Sequence, residues 1–118
     1  MTKEYIIEGS KTIANYLGYE YVPFSKNLTH KAGYYKYYKY ICRTHSDLRF
    51  VNCWDDLMPV IEKLEKEFTN IHFELLFGGC TLMCKNYNEY FIDSFNKDLS
   101  WIQNTFITVV ETIRKLKL

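Results

Sequence analysis

Proline, glycine and histidine are sparse in this chain of 118 residues, which holds two, five and three of them. No Pro-, Gly- or Ser-rich stretch marks a linker, and no internal repeat is visible, so a single domain over 1–118 is expected. Net charge is nearly absent as well: 15 Lys and Arg stand against 14 Asp and Glu, leaving a formal +1. That balance excludes a global field drawing the chain to nucleic acid, an anionic membrane or an acidic substrate, so any such partner must be met by a local patch. Long apolar runs are missing too. Nothing approaches the roughly 20 residues of a membrane-spanning helix. The opening MTKEYIIEGSKTIANYLGY lacks the basic start, apolar run and small-residue cleavage site of a secretory signal, so a chain that stays in the cytoplasm where it is made, off the membrane, is expected. Four cysteines, Cys42, Cys53, Cys80 and Cys84, then read as free, mostly buried thiols, not two disulfides.

What the chain has in excess is aromatic residues, 18% of the total, with 11 tyrosines the largest share. Tyrosine buries a ring and keeps a hydroxyl for hydrogen bonding, which suits half-exposed sheet faces and binding surfaces alike. Along the chain, Ile6, Ile13, Ala14 and Leu17 fall near helical spacing. Ser10 is a candidate cap for a shorter version of this first helix, and Gly18 fits the left-handed position past its end. YEYVPF then favours an extended edge strand until Pro23 removes a ladder donor. The polar stretch from Ser25 to Gly33 reads as a loop, and YYKYYKYICR and LRFV as two strands around THSD.

The clearest helix follows. Trp54, Leu57, Met58, Ile61, Leu64 and Phe68 make an apolar stripe, with Asp55, Asp56, Glu62, Lys63, Glu65 and Lys66 on much of the other side. Asn52 with Asp55 resembles a capping box, but a start there leaves Pro59 beyond the first turn, so either a bend at Pro59 or a later start is expected. Ile71, Phe73, Leu75 and Phe77 then alternate with polar or outward positions. Gly78-Gly79 supplies a turn and Cys80, Leu82 and Cys84 alternate again, the pattern of a β-hairpin. The tail places Leu99, Ile102, Phe106, Val109, Val110, Ile113 and Leu116 at helical spacing, with Asp98 near its start and Arg114, Lys115 and Lys117 near its end. Its β-branched residues lower helix propensity, so burial must hold it.

The run CWDDLMPVIEKLEKE, with ITVVETIRKL in the last helix, resembles small uncharacterised proteins of bacteriophages and prophages in Bacteroidetes-type bacteria. In these a Trp, a Leu-Met-Pro-Val core and Glu-Lys recur in order after a short N-terminal helix and aromatic strands. The resemblance falls on Trp54, Asp55, Leu57, Met58, Pro59, Val60, Glu62 and Lys63, with Val109, Val110 and Glu111 in the tail; Asp56 stands where those relatives often have a second Trp. It implies a phage or mobile-element accessory protein, supplies no catalytic residue, and makes counter-defence an expectation by analogy.

No constellation assembles a reaction centre. Cys42, His45 and Cys53, or Cys80 and Cys84, are of the residue types that ligate zinc, but the spacing favours core packing, and no metal or cofactor is expected. CRTHSD brings Cys42, Arg43, His45 and Asp47 close in sequence without a nucleophile signature. Asp55 and Asp56 suit a helix start better than paired acid–base work, and Gly78-Gly79 lacks the Lys and Ser/Thr of a phosphate loop. The best binding candidate is the tract in which Lys36 and Lys39 interleave with Tyr34, Tyr35, Tyr37, Tyr38 and Tyr40, since bases stack on rings while lysines meet phosphate. Alternation splits the charges, Lys36 with Tyr34, Tyr38 and Tyr40, Lys39 with Tyr35 and Tyr37, and ordinary sheet packing with snorkelling lysines is the competing reading.

The sequence therefore predicts a two-layer α+β domain: an antiparallel sheet of four to six strands covered by the Asn52 to Phe68 helix and the terminal helix, with a short N-terminal helix. The expected function is non-enzymatic binding of a host protein or small ligand. The candidate residues are Tyr34, Lys36, Tyr38, Lys39 and Tyr40, or a groove beside Trp54 and Trp101. The alternative is a nucleotide- or single-stranded nucleic-acid-binding module on the Tyr/Lys strand, and homo-oligomerisation through those strands is a further use of the same surface.

Overall fold

A computed structural model describes residues 1–22, 34–38, 41–44, 48–84 and 92–118. The first helix, α1 (Lys3–Leu17), starts earlier than a Ser10 cap would allow, because the Thr2 hydroxyl accepts from the Tyr5 amide at 3.1 Å. Ser10 lies inside the helix instead, buried, its hydroxyl without a hydrogen-bond partner. Gly18 ends the helix at φ 80°, as its position in the sequence predicts.

Three short strands follow, β1 (Glu20–Val22), β2 (Tyr34–Tyr38) and β3 (Ile41–Thr44), paired antiparallel in that order. The YYKYYKYICR run thus contains two strands, and LRFV is not one: Leu48–Asn52 is a turn closed by the Asn52 amide on the Arg49 carbonyl at 3.2 Å. Its apolar residues have another cause. Leu48, Phe50 and Val51 are buried in the core while exposed Arg49 reaches Asp56 of the next helix at 3.5 Å.

Helix α2 (Trp54–Glu67) begins later than an Asn52 cap requires, with Cys53 at the cap and no side-chain bond there. Pro59 still falls inside it, removing one main-chain hydrogen bond. Of the expected stripe, Leu57, Ile61 and Leu64 are buried and Trp54, Met58 and Phe68 partly so, while Val60, outside it, is buried as well; each fully buried side chain contributes roughly 1.5–3 kcal/mol. Strands β4 (Ile71–Leu76), β5 (Gly79–Cys84) and β6 (Ile92–Ser94) form a second antiparallel sheet, β5 in the middle. Helix α3 (Trp101–Leu116) closes the chain behind a full capping box, Ser100 accepting from the Gln103 amide and Gln103 from the Ser100 amide.

The protein is therefore α+β, with three helices and antiparallel sheet among the described residues. In place of one sheet of four to six strands, the described strands divide into two sheets of three, with residues 48–51 and α2 following β3 in the chain before β4 begins the second sheet. Helix α3 packs along β5 and β6, α2 against β4, and α1 against α3. The core lies between them, with Ile13 of α1, Ile71 and Phe73 of β4, Leu82 of β5 and Phe106, Val109, Val110 and Ile113 of α3 beside the α2 stripe.

Candidate functional site

The β4–β5 hairpin turns one residue earlier than Gly78-Gly79 suggests. Leu76 pairs with Gly79, so the two turn residues are Phe77 and Gly78, both left-handed at φ 50° and 84°. Positive φ at both positions is what a tight turn matching the twist of the strands needs, and it favours Asn, Asp or Gly over Phe. Gly79 is kept in the strand by close approach: a Cβ there would lie 2.3 Å from the Phe95 ring and 2.3 Å from the Ser94 carbonyl oxygen. The Trp101 indole comes to the same residue, its Nε1 donating to the Gly79 carbonyl at 3.1 Å. Around this glycine sit four exposed apolar side chains, Phe77 at 96%, Trp101 at 49%, Phe95 at 43% and Leu76 at 42%.

This patch has a rigid footing. Asn104, buried on α3, donates from Nδ2 to the carbonyls of Gly78 and Asn96, both at 3.1 Å. Its Oδ1 accepts from the Ser94 hydroxyl at 2.9 Å and the Asn96 amide at 3.1 Å. All the donors and acceptors of one carboxamide are thereby used, fixing the turn, the end of β6 and the helix to one another. Below it, the Thr108 hydroxyl donates to the Cys80 carbonyl at 3.1 Å, tying α3 to β5 one residue past Gly79.

Among the described residues three ionisable groups titrate higher than usual, Cys80, Tyr5 and Tyr16, and each has partners of its own. Burial pushes the Cys80 thiol up to about 11, against smaller opposing hydrogen bonds from Thr108 and Thr105, so it is a neutral thiol at physiological pH. Tyr5 donates to Glu111 at 2.7 Å, and Arg114 both donates to the same oxygen at 3.1 Å and lies over the Tyr5 ring at 5.4 Å. Burial first, then that bond to Glu111, raises the Tyr5 hydroxyl above the usual phenol range. Beside this trio an apolar cleft of about 480 Å³ runs between Met1, Leu99 and Ile107. Tyr16 repeats the arrangement with Glu67, which also pairs with Lys63. Among the described residues no group of three or more His, Cys, Asp or Glu is placed to hold a metal ion, and no helix is long and apolar enough to cross a membrane.

Of the residues singled out in sequence, Trp101 lies in the patch. Trp54 occupies the first turn of α2, partly buried against the core. Tyr34, Lys36 and Tyr38 belong to β2, the central strand of the first sheet, where the register with β3 shifts between Lys36 and Tyr38 and interrupts the strict alternation their face assignment assumes. Lys39 and Tyr40 lie outside the described residues, as do His45, Asp47 and the whole Ser25 to Gly33 loop. Sequence reasoning missed Phe77, Phe95 and Asn104. Phe77 continues the inward alternation of Ile71, Phe73 and Leu75, and only the reservation of Gly79 for the strand moves it to the tip. Asn104 is one polar residue inside an apolar helical pattern, a signal that the sequence reading passed over.

No family model matches the chain, and neither a curated protein nor a solved structure is similar to it.

Proposed function

We propose that this chain is a non-enzymatic phage or mobile-element accessory protein that binds a host protein in the bacterial cytoplasm through the aromatic patch at the β4–β5 turn. The observation that carries this reading is Phe77, a fully exposed aromatic ring on a left-handed residue where Asn, Asp or Gly serves the fold better. Both its solvation and its backbone work against stability, and such local conflicts cluster where a surface is used. The ring projects from the molecule, which suits insertion into a partner's pocket better than enclosure of a small ligand. Trp101 and Phe95 supply the flanking apolar area, and the Asn104 network holds the set in one geometry, so little ordering cost accompanies binding.

The accompanying architecture is two-layered, with β4, β5 and β6 as one layer and α2 with α3 as the other, leaving the turn at an open end. The phage context, and counter-defence as the purpose, rest on the resemblance carried by Trp54 through Lys63.

The test is capture from bacterial host lysate with wild-type protein, F77N and W101A. Wild type should retain one host protein stoichiometrically. F77N should weaken that complex by about 30-fold or more, the scale of a hot-spot residue, while melting at a higher temperature than wild type because Asn suits the turn. Equal capture by F77N would remove the patch from the reading. Retention that instead falls with salt and with K36A would favour the nucleic-acid alternative.

A further inference from the structure

We propose that the outer edge of β4 is a self-association surface, on which a second copy of this chain adds its own β4 antiparallel, with the two-fold axis at Phe73. This surface is separate from the aromatic patch and does not depend on it.

In the order β4-β5-β6, β4 is an edge, and among the described residues it pairs only with β5. Its six residues run in unbroken register from Ile71 opposite Cys84 to Leu76 opposite Gly79. The other edge, β6, has three residues, and the first sheet carries a register irregularity. Of the devices that blunt an edge strand, β4 lacks a bulge, proline and lysine and is twice the length of β6; it carries one carboxylate, Glu74, and α2 packs against it. Its outward N–H and C=O groups therefore form a regular template for another strand.

Side-chain pairing selects the occupant. Residues opposite one another in an antiparallel pair lie on the same face of the sheet, so inward Ile71, Phe73 and Leu75 must meet inward residues of the incoming strand. If that strand is another β4, three central registers satisfy this condition. A dyad at Glu74 sets two carboxylates against each other, and one at His72 sets two imidazoles together. The dyad at Phe73 places His72 opposite Glu74 of the second copy and Glu74 opposite its His72, with Ile71 meeting Leu75 on the core side. Only this register gives two complementary polar pairs.

Within one chain His72 is engaged only at ion-pair range, its Nδ1 3.6 Å from Glu65 Oε2 and its Nε2 3.7 Å from Glu74 Oε1, both too long for hydrogen bonds. An imidazole N–H facing a carboxylate across the strand pair gains a bond in either protonation state. The product is one six-stranded sheet, β6-β5-β4 continuing into β4-β5-β6 of the second copy, with the two cores aligned on the same face. Sheets of that size are common, whereas three strands are few.

Sedimentation velocity of the full chain over a micromolar concentration series tests this. Wild type should dimerise. H72E turns both cross-strand pairs repulsive and should weaken the dimer about tenfold or more, and E74K carries the same expectation. The double swap H72E/E74H restores both pairs and should return the affinity towards wild type. Far-UV circular dichroism confirms that each variant is folded, and F77N should dimerise normally even if it loses its host partner. A wild-type monomer throughout the series, an H72E dimer as tight as wild type, or a double swap that fails to recover would each overturn the proposal.

Discussion

Asn104 uses its whole carboxamide to join three pieces of chain that neighbour one another only in space: the hairpin turn, the end of β6 and the first turns of α3. Removing it strands two carbonyls, an amide and a hydroxyl at a partly buried site, and it is the unmet groups, more than the lost bonds, that carry the cost. Asn104→Ala is expected to destabilise the protein by about 2–4 kcal/mol in urea unfolding, and Asn104→Leu, which keeps the volume, should not recover it. A loss below about 0.5 kcal/mol in both variants would show that water replaces the side chain without penalty. Phe77 behaves in the opposite sense at the same turn, since its ring contributes nothing to the core that its replacement would forfeit.

Helices impose their period on the sequence, and so α1, α2 and α3 are legible from apolar spacing, with Gly18 and the α2 stripe where the pattern puts them. Caps are less so. Thr2 and Ser100 hold the starts of α1 and α3, whereas Ser10 and Asn52 matched the same chemistry without being used, because a capping side chain is recognised only once the backbone turns beside it. The β4–β5 pairing is legible from alternation, but its turn is displaced by Phe95 packing on Gly79, a contact from far along the chain. Three-residue β6 is too short to show any period, and Leu48 with Phe50 mimics a strand by filling the core. Of the site, Trp101 could be read from sequence as an amphipathic aromatic; the ring beside it, Phe95, and the tip, Phe77, depend on tertiary placement. At this scale Pro59 is the element most open to change. Its missing N–H leaves the Asp55 carbonyl without its helical donor, so Pro59→Ala should raise stability by about 2 kcal/mol, the helix gain less the added freedom of the unfolded chain. A melting temperature that falls in this variant would mean that the ring packs against something the main-chain argument omits.

For the molecule as a whole, alkaline pH is the condition to which one buried thiol and two half-buried phenols respond together. Cys80 titrates near 9.0 ordinarily and near 11 in the fold, so above pH 9 the unfolded chain releases a proton that the native state keeps. The stability linked to this thiol is fully present below pH 9 and is lost as pH rises through 11, by up to about 2–3 kcal/mol. Tyr5 and Tyr16, raised first by burial and then by their bonds to Glu111 and Glu67, act in the same direction above pH 10. Urea midpoints should therefore hold level up to about pH 9 and then decline, and Cys80→Ala should make that decline shallower. An unchanged slope would place the effect on the tyrosines. One further property belongs to the whole chain before it folds. Thr105 and Thr112 bury their methyl groups while each hydroxyl donates to the carbonyl four residues back, at 2.8 and 2.7 Å, and Thr108 shares its hydroxyl hydrogen between the Cys80 carbonyl at 3.1 Å and the Asn104 carbonyl at 3.3 Å, so in the helix all three pack much as valines do. In the newly made chain the same hydroxyls face water within the stretch TFITVVETI and, with Glu111, interrupt a β-prone apolar segment. The core of α3 is thus written partly in residues that stay wettable until α3 forms, and replacing all three threonines by valine should leave the packed helix much the same while making the unfolded chain more prone to aggregate.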